Sequence, residues 1–89
     1  MFPNTLDGAD VIFYSPKSTY GKIIHTTGEL YDVISFYAIC RYAGEEICYL
    51  FGCNEAFEVI SDTAFNDLEE CKRAVRASLG KDVNWNAKK

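Results

Sequence analysis

The sequence predicts an α+β protein in which an antiparallel β-meander of four to five strands precedes one main C-terminal helix packed on one face of the sheet. Two observations support this prediction. Up to Asp62, short runs rich in β-branched and aromatic residues alternate with turn residues. After Asp67, apolar residues recur at helical spacing. A chain of 89 residues is expected to form a single domain, residues 1–89.

The predicted strands follow from local composition and from the turns between them. They cover residues 11–14, 21–27, 31–42, 47–52 and 57–61. The stretch 31–42 is long enough for a helix, but its Val, Ile, Phe and Tyr content favours a strand. Residues 2–8 read as an irregular lead-in. A hairpin loop of residues 43–45 would place Cys40 opposite Cys48 on the paired strands.

The helix is predicted from about Asp67 to Leu79. Asn66 or Asp67 is a natural N-cap, with Glu69 or Glu70 at the third helical position. The spacing i, i+3, i+7 and i+11 gives one apolar stripe, formed by Leu68, Cys71, Val75 and Leu79. Gly80 ends the helix as a left-handed cap. The stripe is expected to lie on the sheet, because it has no other apolar surface to bury against.

Composition excludes several classes of protein. No stretch approaches the roughly 18 apolar residues of a membrane span, and residues 1–10 lack the basic and apolar regions of a secretory signal. We therefore expect a cytoplasmic protein that does not bind a membrane. The four cysteines have no CxxC spacing, and His25 is the only histidine. No metal or cofactor is expected, and the thiols are predicted to be free and buried.

The sequence contains residues for two kinds of catalysis. Cys53 lies at a predicted turn, where an exposed thiol could act as a nucleophile with His25 as its base. Close carboxylate pairs could support acid–base hydrolysis. Neither arrangement has the orienting group or the cleft that such chemistry needs, so the chain is predicted not to be an enzyme. A thiol-dependent enzyme remains a weaker alternative.

Charge is distributed unevenly along the chain. The net charge is −4, and residues 42–71 contain no Lys or Arg. Such a run is often only a solvated face, but it is also typical of a surface that binds a basic protein. The same acidity opposes direct nucleic-acid binding by the strand aromatics. The candidate partner-binding residues in this run are Glu45, Glu46, Glu55, Glu58, Asp62, Glu69 and Glu70.

Residues 49–63, with the continuation Leu68-Glu69-Glu70-Cys71-Lys72, carry a resemblance. They are similar to a pattern in small uncharacterised bacterial proteins: a Leu-Phe strand, an acidic turn, a Val-Ile strand ending in Asp-Thr, and a Leu-Glu-Glu-Ala-Lys helix. Cys71 stands where that pattern has Ala. The resemblance implies a strand–strand–helix unit and no particular chemistry. In size, charge and class, the chain also resembles bacterial immunity proteins, including those of contact-dependent growth inhibition.

Three functional hypotheses follow. The first is an immunity protein or inhibitor that neutralises a basic toxin such as a nuclease through an acidic interface. The second is a small regulatory module that forms homo-oligomers through an exposed strand edge. The third is the thiol-dependent enzyme.

Overall fold

The computed structural model describes residues 1–24 and 26–88, and it confirms the predicted α+β class. A curled antiparallel sheet is followed by one helix that packs against it. The strands are β1 (Thr5–Leu6), β2 (Ala9–Tyr14), β3 (Gly21–Ile24), β4 (Leu30–Ile34), β5 (Phe36–Arg41), β6 (Cys48–Cys53), β7 (Val59–Phe65) and β8 (Asn86–Ala87), and the helix is α1 (Leu68–Leu79).

The main sheet has the order β1-β2-β5-β6-β7, and β8 adds to it by pairing with β2. Strands β3 and β4 form a separate two-stranded sheet. All described pairings are antiparallel. The hairpins β5–β6 and β6–β7 therefore put their two loops at opposite ends of β6, and this arrangement decides where the acidic residues lie.

The predicted long strand 31–42 is wrong in one respect, because the chain divides it at Ser35 between the two sheets. The cause lies in the neighbouring strand. β2 ends at Tyr14, and Pro16 has no N–H with which to continue the ladder. Residues before Phe36 consequently lack a β2 partner and pair with β3 instead. Ser35 is buried at this junction, where its N–H donates to the carbonyl of Cys53 at 2.7 Å.

The predicted pairing of Cys40 with Cys48 is also wrong. Cys40 lies opposite Tyr49, because the loop between β5 and β6 runs over residues 42–47 instead of 43–45. Gly44, at a φ of 82°, forms the turn that the Glu45 N–H closes by donating to the carbonyl of Tyr42. A shift of one residue moves a side chain to the other face of a strand. The two thiols therefore belong to different hydrophobic clusters.

The residues at both ends of the chain contribute more than the sequence predicts. The lead-in contains β1, and the Val11 N–H donates to the carbonyl of Asn4 at 2.9 Å. Phe2 is 5% exposed, and its ring stacks on Tyr14 with centroids 4.5 Å apart. Near the other end, the short strand β8 was not predicted, because a two-residue strand carries no periodic signal.

The helix and its caps are as predicted. Asp67 is the N-cap, and its side chain accepts a hydrogen bond from the Glu70 N–H at 2.8 Å. Gly80 is in the left-handed conformation at the C-cap. Cys71 and Val75 are buried at the centre of the apolar stripe. Among the described residues, no helix is long and apolar enough to cross a membrane.

The main sheet has two packed faces. The helix face holds Ile39, Cys48 and Cys71, with Phe13 and Trp85 packed against them. The opposite face, called the far face below, is covered by the lead-in. Its buried residues are Phe2, Leu6, Ala9, Val11, Ala38, Cys40, Phe51 and Cys53.

Candidate partner-binding surface

The seven candidate acids are divided between the two ends of β6 by the hairpin topology. A strand of six residues spans about 17 Å between its first and last Cα atoms. The loop with Glu45 and Glu46 precedes Cys48, whereas Glu55 and Glu58 follow Cys53. The acidic run is therefore not one continuous patch.

The Cys48 end also receives the start of the helix. Phe65, the last residue of β7, pairs with Cys48, and the helix begins three residues later. Glu69 and Glu70 consequently lie at the same end of the sheet as Glu45 and Glu46. Glu69 is exposed. Glu70 is half-buried, and its carboxylate accepts a long hydrogen bond of 3.5 Å from the Asn66 N–H.

Two tyrosines lie beside Glu45 on the far face. The Tyr49 hydroxyl donates to the carboxylate of Glu45 at 3.2 Å, and the Tyr42 hydroxyl donates to the carbonyl of Asp7 at 3.2 Å. The two rings meet edge to face, with centroids 5.2 Å apart. Both tyrosines are half-buried, so part of each ring is accessible at the surface. The ring of Phe57 is not part of this group, because it packs on Phe2 and Phe36 against the hydrophobic cluster of the far face.

Asp62 completes this arrangement from the neighbouring strand. It pairs with Phe51, which points to the far face, so its exposed carboxylate lies on the same face as Tyr49. We call the group Asp7, Tyr42, Glu45, Tyr49 and Asp62 the tyrosine–carboxylate surface.

The tyrosine–carboxylate surface has a negative local field. The pKa of Tyr49 is raised above its ordinary value by burial, by its hydrogen bond to Glu45 and by the negative charges of Glu45 and Asp62. Asp7, Glu45 and Asp62 form no ion pair with any other described residue. Their charges are therefore available to a partner.

The Cys53 end of β6 uses its acids differently. Asn54 is 9% exposed, and its amide Nδ2 donates to Asp32 at 2.9 Å and to Glu58 at 2.8 Å. Its Oδ1 accepts from the N–H groups of Ala56 and Glu58, both at 3.0 Å. These bonds stabilise a loop in which Phe57 has the unusual φ of 63°. Glu58 thus has a structural partner inside the chain.

Glu55 is also paired within the chain. Its carboxylate lies 2.7 Å from the Lys17 ammonium, and that hydrogen bond and charge hold the pKa of Glu55 below its usual range. Lys17, Glu55, Asn54 and Asp32 line an open cleft of about 760 Å³ between the two sheets. Its acidic groups already have partners, so the cleft has less free charge than the tyrosine–carboxylate surface.

The cysteines are free and fully buried, and Cys53 is not exposed as the turn position suggested. It is the last residue of β6, and its side chain belongs to the hydrophobic cluster of the far face. Burial raises the pKa of Cys53 to about 11 and those of Cys40 and Cys71 to about 12. These surroundings oppose the thiolate that a nucleophile requires. His25, the base considered for Cys53, lies outside the described residues.

Sequence reasoning missed Asp7 and the joint role of Asp32 and Asn54. Asp7 is distant in sequence from the acidic run, and only the pairing of β1 with β2 and of β2 with β5 brings it close to Tyr42. A local signal did exist for Asn54, since asparagine often accepts a hydrogen bond from the N–H two residues later. No group of three or more metal-ligating side chains occurs in the described part of the chain.

Comparison with known proteins finds no matching family model, curated protein or solved structure.

Proposed function

We propose that this chain is a non-enzymatic binding protein that neutralises a basic toxin such as a nuclease, as an immunity protein or inhibitor does. The observation that supports this proposal best is the tyrosine–carboxylate surface. It combines three carboxylates without an ion-pair partner among the described residues with two half-buried tyrosine rings.

This combination suits a basic protein partner for two physical reasons. Clustered carboxylates attract a basic surface over several ångströms and increase the association rate. Tyr42 and Tyr49 are already held by hydrogen bonds, so they lose little side-chain freedom when a partner covers them. Tyrosine is among the residues that contribute most at protein interfaces.

The proposal is tested by purifying the proteins encoded by the genes that flank the gene of this chain and assaying each for nuclease activity and for binding to this chain. We expect a one-to-one complex and loss of the toxin's activity. Asp62→Lys should slow association about tenfold at low salt, since it reverses one of the three charges of the surface. The measurement is the association rate across ionic strengths.

The matched control is Glu29→Lys, which makes the same charge change at an exposed residue just before β4 of the other sheet. It should leave the association rate within about twofold, because charges far apart are screened at moderate salt. Equal slowing by the two variants would mean that net charge, and not this surface, directs binding. Wild-type association of Asp62→Lys at all salt concentrations would refute the proposed surface.

Self-association is a second candidate function, and one observation favours it. β7 is the last strand of the main sheet, and Asp62, Thr63 and Ala64 are exposed along it. An unpaired strand edge can add a strand from another copy. Light scattering over a range of concentrations would show a dimer, and Ala64→Pro would abolish it by removing an N–H that points away from β6 at the sheet edge. A monomer at every concentration would exclude this candidate.

A further inference from the structure

The helix carries a second charged feature on the opposite face of the sheet from the tyrosine–carboxylate surface. Beside the buried stripe of α1, polar residues recur at i, i+3, i+4 and i+7. They are Glu69, Lys72, Arg73 and Arg76. This polar stripe faces the segment of residues 81–85, which connects the helix to β8. A groove of about 180 Å³ lies between the two, lined also by Asp82, Val83 and Trp85.

Helix stability explains the position of only one of the three cations in this groove. Only Arg76 lies in the last turn, where the helix dipole favours a positive charge. Glu69 is placed to pair with Lys72 at i+3 and with Arg73 at i+4, yet within the described residues neither ion pair forms. The Lys72 ammonium instead lies 4.1 Å from the centre of the Phe13 ring.

The groove is also fixed at both ends. Gly80 caps the helix, and β8 pairs with β2 through Phe13 and Tyr14. Trp85 is half-buried, with its ring packed against the hydrophobic cluster of the helix face. The Trp85 ring therefore lies beside three cations, Lys72, Arg73 and Arg76. The groove is already formed before any ligand binds, since both of its ends are held by the fold.

We propose that this groove binds a small phosphate monoester. A phosphate dianion offers three acceptor oxygens, which match the donor forks of Arg73 and Arg76 and the ammonium of Lys72. Asp82 forms only an exposed ion pair with Arg76, with 3.5 Å between the guanidinium nitrogen and the carboxylate oxygen. A phosphate dianion can therefore replace the carboxylate of Asp82 as the partner of Arg76. The Trp85 ring would contact the organic part of the ligand.

The only tryptophan of the chain provides the readout. The indole N–H resonance of Trp85 is followed by NMR during titration with inorganic phosphate, ribose 5-phosphate and AMP at constant ionic strength. We expect a saturable shift with half-saturation at or below about 1 mM for the organic phosphates. Tighter binding of AMP than of ribose 5-phosphate would show that the Trp85 ring contacts the base of the nucleotide. Equal binding of all three would assign recognition to the phosphate alone.

Two variants of equal charge test the location. Arg73→Gln should weaken binding at least about tenfold, because it removes charge-assisted hydrogen bonds. Lys22→Gln, on the exposed side of β3, should change it less than about twofold. The absence of a saturable shift up to about 10 mM ligand, or equal weakening by both variants, would overturn the proposal. Either result leaves the proposed partner-binding function standing, since that function uses the other face.

Discussion

Carboxylate side chains lie at both ends of β6, but they have different partners at each end. At the Cys53 end, Asp32 and Glu58 share the amide of Asn54, and Glu55 pairs with Lys17. At the Cys48 end, carboxylates stand around tyrosine rings without a cation from the described residues. Carboxylates paired with the buried amide of Asn54 or with a cation stabilise the fold, whereas carboxylates without an internal cation keep a negative charge that can attract another molecule.

The largest effect should come from removing the donor at the Cys53 end. Asn54→Ala eliminates the side-chain hydrogen bonds of Asn54 and leaves Asp32 and Glu58 without their shared donor. It also releases the loop that holds Phe57 at a positive φ. We expect a loss of about 2–4 kcal/mol in the free energy of unfolding. Urea denaturation measures this loss.

The matched control is Asn84→Ala, at an exposed asparagine in the segment before β8. It should change stability by less than about 0.5 kcal/mol. If both alanine variants lose the same stability, the hydrogen bonds of Asn54 are not what holds this end of the sheet.

A second, smaller effect should distinguish the two ends by local opening. Cys53 and Cys48 terminate the same strand, and both are fully buried. In Asn54→Ala, the Cys53 end should open without the rest of the sheet, so alkylation of Cys53 should exceed that of Cys48 about tenfold. Mass spectrometry of peptides after timed iodoacetamide labelling measures both rates. Identical rates would show that the two ends open together.

The sequence predicted the features that depend on neighbouring residues. Asp67 and Gly80 cap the helix through contacts within a few residues, so the pattern alone located both ends. The break at Ser35 was missed because its cause is the end of β2, about twenty residues earlier in the chain. Strand pairing of this kind depends on distant segments, and local composition does not report it.

The candidate site shows the same limit. The acidic run identified Glu45 and Asp62 correctly as exposed residues, but grouping them with Asp7 requires the strand order. Nor could the sequence separate these acids from Glu58, whose partner Asn54 is visible only in the folded loop. Whether an exposed acid is paired is a property of the tertiary structure.

Charge reversal at each end should sharpen the comparison further. Glu58→Lys replaces an acceptor of Asn54 with a donor, so we expect a loss of about 1 kcal/mol. Asp62→Lys removes no internal partner and should change the free energy of unfolding by less than about 0.5 kcal/mol. Thermal denaturation of both variants in the same buffer compares them. A larger loss for Asp62→Lys would mean that Asp62 has a structural role.

The smallest effect concerns the pH dependence of a single surface pair. Lys17 lowers the pKa of Glu55 through a hydrogen bond and its charge. A carboxyl whose pKa is lower in the folded chain stabilises the fold above its unfolded pKa of about 4.3, and this contribution disappears as the pH falls through the folded value. In Lys17→Met, the pKa of Glu55 should rise, and the acid limb of the stability profile should become shallower. Carboxyl NMR titration of both proteins measures the shift.

Lys22→Met is the control, because Lys22 carries the same charge without contacting Glu55. An unchanged Glu55 pKa in Lys17→Met would show that the pair does not persist in solution, and that Glu55 is as available to a partner as Asp62.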